Sequence, residues 1–98
     1  MSPANLSPEA ENDLLEIWLY VAQDKLGAAD RLIDRLRLKC DLLARNPLAG
    51  RARPDLGLGI RSFPVDRYVV YYLVTGRGVE VARILSGYQE PARIFEDK

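Results

Sequence analysis

Residues 60–87 read IRSFPVDRYVVYYLVTGRGVEVARILSG, and the reading of this stretch decides the fold. Three runs rich in β-branched and aromatic residues occupy it. The last two meet across Thr75, Gly76, Arg77 and Gly78, where glycine supplies the positive φ that a tight hairpin needs. Two paired antiparallel strands follow. The middle run, residues 68–74, is apolar or aromatic at every position, so neither of its faces suits water and it predicts a central strand.

Working outward, the whole chain of 98 residues is long enough for one core and too short for a core plus a separate module, so residues 1–98 read as a single domain. An apolar content of 48% with 29% charged residues is that of an ordinary globular protein, and no apolar run approaches the roughly 20 residues that span a bilayer. The first thirteen residues, MSPANLSPEAEND, carry neither a basic n-region nor an apolar h-region, which makes a soluble cytoplasmic protein without a membrane partner the expectation. There is no histidine and one cysteine, which removes histidine general-base catalysis, the common zinc sites and an internal disulfide. No metal or other cofactor is expected. Residues 1–50 hold 6 basic and 8 acidic groups and residues 51–98 hold 8 basic and 6 acidic, so a mild asymmetry lies inside a net charge of zero. Every basic group of the second half except Lys98 is an arginine, the side chain best matched to phosphate and carboxylate.

Upstream, residues 4–6 predict a short edge strand. Ser7 as N-cap, Pro8 at the first helical position and Glu9 and Glu11 in the first turn then start a helix. Ala10, Leu14, Ile17, Trp18 and Val21 form its core-facing stripe. Leu15, Leu19 and Ala22 widen that stripe beyond what one core face needs. Gly27 separates it from a second helix with Ala29, Leu32, Ile33, Leu36, Cys40 and Leu43 on one face, and an antiparallel helical hairpin is the simple reading. Cys40, on that apolar face, reads as a small buried hydrophobe. Leu38 and Leu42 point away from it, either as trivial exposed leucines or as a pair that receives a partner helix. Asn46 and Pro47 end the helix, and LAGRARPDLGLG reads as a connector that carries Arg51 and Arg53 on a mobile backbone. After the hairpin strands, the tail GYQEPARIFEDK predicts a short turn docked by Ile94 and Phe95.

Arginines among strand residues need a reason. Arg83 shares the alternation of Val79, Val81 and Leu85, so it must meet a carboxylate, a carbonyl or a ligand, with Asp13, Glu16, Asp66 and Glu80 as possible partners in a structural ion pair. Arg61 and Arg67 fit a solvated rim or a binding role equally. No paired carboxylates, phosphate loop or nucleophile with a base is present, and the two Gly-x-Gly pairs precede no helix. Chemistry through arginine and tyrosine alone, as in RNA cleavage, would draw on Tyr68, Tyr71, Tyr72 and Tyr88, although strand tyrosines mostly serve packing.

Several stretches in order resemble the ParE branch of the ParE/RelE toxin superfamily, the toxin halves of bacterial type II toxin-antitoxin pairs. They are Leu6-Ser7-Pro8-Glu9-Ala10 with Asp13-Leu14 and Ile17-Trp18, then Asn46-Pro47, Gly50-Arg51 and Arg53-Pro54. Arg61-Ser62-Phe63-Pro64-Val65, Tyr68-Val69-Val70-Tyr71-Tyr72 and Val81-Ala82-Arg83-Ile84-Leu85 complete the set. The resemblance implies an α+β fold in which a short N-terminal strand and an antiparallel helical hairpin pack on a three-stranded antiparallel sheet.

It also implies a growth-inhibiting toxin that poisons DNA gyrase without being an enzyme and is neutralised by a ParD-like antitoxin, which would supply any contact with DNA. Antitoxin covering of hairpin and sheet would use Leu15, Trp18, Leu19, Leu38, Leu42, Arg51 and Arg53. Candidate target contacts are Arg61, Arg67 and Arg83 with Ser86, Tyr88 and Gln89 at the start of the tail. The RelE branch instead implies a ribosome-dependent messenger RNA endoribonuclease. Its arginine after the last strand and its tail tyrosine correspond here to Gln89 and Phe95, while Arg67 matches another of its arginines. A third alternative, an attenuated toxin kept as antitoxin partner and operon co-regulator, follows from Ser86, which stands where the ParE pattern commonly has a histidine.

Overall fold

The computed structural model describes residues 4–96; Asp97 and Lys98 of the tail lie outside them. The chain runs β1 (Asn5–Leu6), α1 (Pro8–Ala22), α2 (Leu26–Arg45), β2 (Arg51–Ala52), β3 (Ile60–Val65), β4 (Tyr68–Thr75), β5 (Gly78–Ser86) and α3 (Pro91–Glu96). The strands form one five-stranded sheet in the order β1-β5-β4-β3-β2. The α+β expectation holds, with two additions. β1 joins the sheet itself, parallel to β5, and the connector contributes β2, antiparallel to β3.

β4 is central, as its unbroken apolar run requires, and it feeds two cores. Val70 and Tyr72 face the hairpin and pack with Leu14, Leu36, Cys40, Leu43, Val81 and Ile84. Tyr71 faces the opposite way with Ile60 and Leu85, and this second face is covered by Leu56 and by Ile94 and Phe95 of α3. The Phe95 ring meets Tyr71 edge-on, with centroids 5.5 Å apart.

Local chemistry sets the helix ends. The Ser7 hydroxyl accepts the Ala10 amide at 3.0 Å, as an N-cap should. The two helices part at residues 23–25, where the Asp24 and Lys25 amides both turn back to the Val21 carbonyl. Gly27 is therefore not the separator; it lies in the first turn of α2. The seam of the hairpin is fixed by the Trp18 indole donating to Asp30 at 2.8 Å and by an Arg37–Glu11 pair at 2.9 Å.

A bulge in β5 changes the expected phase of Arg83. Tyr71 pairs with Arg83 but Tyr72 pairs with Val81, leaving Ala82 as the extra residue. Beyond it, Arg83 alternates with Leu85 and Tyr71 on the second face, while Val79 and Val81 face the helices.

Beyond the two-residue strands β1 and β2, the exposed flanks of β5 and β3 are partly occupied. The Ile60 carbonyl accepts the Arg53 amide, so residues 60, 62 and 64 turn toward the β2 side, and past β2 that edge presents Pro64, which has no N–H. On the β5 side the work of β1 is continued by side chains. The Ser7 amide donates to the Val81 carbonyl and its hydroxyl to the Ala82 carbonyl, the Asp13 carboxylate accepts the Ile84 amide, and Gln89 Oε1 accepts the Ser86 amide.

Candidate functional site

Asp13 is the pivot of the site. It is buried in α1, and its carboxylate accepts from Arg83 Nε at 2.8 Å, Arg83 Nη2 at 2.9 Å and the Ile84 amide at 2.9 Å. Of the four carboxylates weighed as partners for Arg83, this one is chosen because it replaces the strand neighbour that β5 lacks beyond Val81. The two-pronged hydrogen bond raises the guanidinium pKa, so Arg83 stays charged and held. Arg83 is thus a structural ion pair first, whatever its exposed side also does.

Beside this pair lies a cleft of about 370 Å³. α1 gives it Asp13, Glu16, Ile17 and Tyr20; the β3–β4 turn gives Arg67 and the start of β4 gives Tyr68; β5 and the segment after it give Arg83, Ile84, Ser86, Tyr88 and Gln89. Five of the six candidate target contacts therefore meet in one place: Arg67, Arg83, Ser86, Tyr88 and Gln89. Arg61 is elsewhere. Its Nη1 donates to the Gly50 carbonyl at 2.6 Å, which ties the turn after α2 to β3. The buried Tyr72 hydroxyl secures the same turn by accepting the Gly50 amide at 2.8 Å and donating to the Pro47 carbonyl at 2.7 Å. A Cβ at residue 50 would come within 2.5 Å of that hydroxyl, so glycine is required there.

The cleft holds residues that the sequence reading passed over. Tyr20 is 74% exposed, and it follows Asp13 and Glu16 at helical spacing, so one row along α1 presents all three. That row was a readable signal, hidden because Tyr20 lies off the apolar stripe. Tyr68 is half-buried and desolvation pushes its phenol pKa up, which keeps it protonated and unsuited to act as a base. Cys40 is wholly buried, away from the cleft, and desolvation pushes its thiol up from 9.0 to about 12, so it packs as a hydrophobe and is no nucleophile. Among the described residues, no group of three or more histidine, cysteine, aspartate or glutamate side chains could hold a metal ion, and no helix is long and apolar enough to cross a membrane.

The antitoxin candidates divide. Trp18 bridges the hairpin seam and is half-buried. Leu15 and Leu19 are exposed on α1 close to that seam. Leu38 and Leu42, roughly 100° and 140° around α2 from the seam residue Arg37, lie on the far flank. They do not share a surface with the α1 pair. Leu42 borders an apolar groove of about 560 Å³ with Lys39, Leu43, residues 46–49 and Phe63. Arg51 is exposed on β2. Arg53 does not stand free: it pairs with Asp55 at 3.0 Å, reaches Ser62 Oγ at 3.4 Å, and sits 5.9 Å over the Tyr71 ring.

A helical hairpin laid on a five-stranded sheet, with a tyrosine- and arginine-lined cleft beside the Asp13–Arg83 pair, sets the class of the chain as a small α+β domain. The chain belongs to the ParE toxin family: the model for the ParE toxin of type II toxin-antitoxin system, parDE, matches residues 4–91. It is 35% identical over 83 residues to a protein named Toxin ParE1 from Mycobacterium tuberculosis, covering 82% of this chain and 84% of that one. A Toxin ParE1 from Caulobacter vibrioides is 34% identical over 88 residues, covering 87% and 88%. Among solved structures, the fold matches a chain of the chromosomal ParDE TA system from P. aeruginosa with a TM-score of 0.73 at 20% identity, covering 88% of this chain and 96% of that one. The protein is accordingly a toxin of the ParDE type.

Proposed function

We propose that the chain, acting as one toxin domain in the cytoplasm, arrests growth by poisoning DNA gyrase and is neutralised by a ParD-like antitoxin that covers the leucine-bearing flanks of its hairpin. The family match over residues 4–91 carries this reading. Supporting it, Leu15, Leu19, Leu38, Leu42 and Leu48 are all exposed around the hairpin and the turn after α2, and Leu42 and Leu48 border one apolar groove that a partner's side chains can fill. The antitoxin seats apolar side chains in the groove beside Leu42. A net charge of zero favours DNA contact through the antitoxin over direct contact.

The non-enzymatic part is supported by the fate of the tail. Phe95, where the ribonuclease branch has its tyrosine, packs under the sheet on Tyr71, and the Gln89 side chain is occupied by the Ser86 amide. The test is a supercoiling reaction with purified gyrase and increasing amounts of the isolated chain. Linear plasmid rising with dose is expected. Supercoiling that proceeds unchanged at saturating, folded protein would sink the gyrase assignment, and loss of messenger RNA from translating ribosomes would put the ribonuclease in its place.

A further inference from the structure

Among the charged groups around the cleft, Arg67 stands apart. Asp13 is matched by Arg83, Asp66 by Arg35 at 2.7 Å, and Glu16 accepts from Asn12 Nδ2 at 3.2 Å. Arg67 is exposed and makes no ion pair among the described residues. It is nevertheless well placed. Asp66, at φ 55°, makes the tight β3–β4 turn, and the Arg67 carbonyl accepts the Gly87 amide at 2.8 Å, so Arg67, Tyr68 and Tyr88 are carried on two backbones tied together. Flanking it, Tyr20 and Tyr88 expose 74% and 93% of their surface. Tyrosine and arginine are the residues that concentrate binding energy in protein interfaces, because they offer large rigid area with a polar end. A second cleft, of about 440 Å³, lies across the same ridge and shares Arg67, Tyr68 and Tyr88, so an occupant can pass over the ridge and seat on both sides.

We propose that this ridge and its cleft are the docking site for an acidic loop of the toxin's protein target, with Arg67 receiving the loop's carboxylate and Tyr20 and Tyr88 clasping its neighbouring side chain. The inference rests on the reading of the chain as a toxin whose target is distinct from its antitoxin. Arg67 is the guanidinium of the cleft that has no carboxylate partner among the described residues, and its planar fork suits a single carboxylate. The occupant is a loop and not a strand, since the β5 edge amides of Ile84 and Ser86 already bond to Asp13 and Gln89. A nucleic-acid strand is disfavoured, because successive phosphates need several free cations and the ridge offers Arg67 alone on a chain of zero net charge. The part of the antitoxin's seat at Leu38 and Leu42 lies on α2, away from this ridge.

The experiment compares the full chain with Arg67→Glu, Arg67→Lys, Tyr88→Ala and, as a charge control at the β4–β5 turn, Arg77→Glu. Each is induced without antitoxin and scored for growth arrest, titrated with the cognate antitoxin, and mixed with a fluorescein-labelled twelve-nucleotide single strand. Arg67→Glu and Tyr88→Ala are expected to need about tenfold more toxin or above for arrest, with Arg67→Lys nearer the wild type, Arg77→Glu unchanged, and antitoxin affinity within about twofold throughout. Arrest undiminished in both cleft variants overturns the site, as does antitoxin affinity that falls in step with arrest. Oligonucleotide binding that Arg67→Glu abolishes overturns the protein occupant in favour of a nucleic acid. A wild-type chain that arrests growth yet leaves gyrase untouched removes gyrase and leaves the cleft standing, whereas one that arrests nothing overturns both.

Discussion

Arg83 and Arg67 line the same cleft, yet one is fastened and the other is open. Arg83 is 27% exposed and shares a buried carboxylate with a backbone amide; Arg67 is exposed, with only its backbone tied. Both stand in or beside strands with apolar neighbours, so sequence pattern cannot separate them. The structural difference is what lies next to each: Arg83 faces the stretch of β5 edge that β1 is too short to cover, and Arg67 sits in a turn where its carbonyl already accepts the Gly87 amide. Where the backbone lacks partners, a charged pair is recruited as structure. Where the backbone is satisfied, the charge is left for something else.

The contrast breaks most visibly at Asp13. Asp13→Ala leaves a largely buried guanidinium and the Ile84 amide without acceptors, and it is expected to cost about 3 kcal/mol, the lower end for breaking a buried pair because Arg83 keeps some solvent. Thermal melting should fall by on the order of 15 °C. Adding Arg83→Met to that variant should recover part of the loss, since an apolar replacement removes the stranded charge. A single variant that melts within about 2 °C of the wild type would mean that the β5 edge does not depend on this pair. Tyr72→Phe comes next. Its hydroxyl serves both the Gly50 amide and the Pro47 carbonyl, and its removal leaves a buried donor unmet at about 2 kcal/mol, read as a lower urea midpoint with unchanged slope. Stability equal to the wild type would show that water takes over both bonds.

How much of this was legible follows the same division. The central strand, the hairpin at Gly76-Arg77, the Ser7 cap and both apolar helix faces could be read because periodicity and turn chemistry are local. β2 could not, since two exposed residues carry no alternation; it exists because Ile60 offers its carbonyl to Arg53 and Gly50 is clamped from both sides. The phase of Arg83 was misread because one bulge residue, Ala82, reverses every later position in β5, and nothing local to Ala82 announces it. The cleft was half legible. Arg67, Arg83, Ser86, Tyr88 and Gln89 stood out individually, but that α1 would bring Glu16 and Tyr20 to them depends on packing across the chain.

The flank of α2 and the ridge at Arg67 give the smallest effects on stability and the sharpest test of the division. Leu38→Ser with Leu42→Ser removes side chains that water already reaches and should change unfolding free energy by about 1 kcal/mol or less. On the reading of that flank as the antitoxin's seat, antitoxin affinity should drop about tenfold or more, equivalent to 1.4 kcal/mol. Affinity unmoved by both changes would remove the antitoxin from this flank. Arg67→Gln should be quieter still, within about 0.5 kcal/mol in urea unfolding, because no carboxylate among the described residues depends on it and the bond from Gly87 goes to its backbone. A loss above about 1 kcal/mol would place Arg67 beside Arg83 as a structural arginine. The cleft would then hold no charge in reserve for a partner.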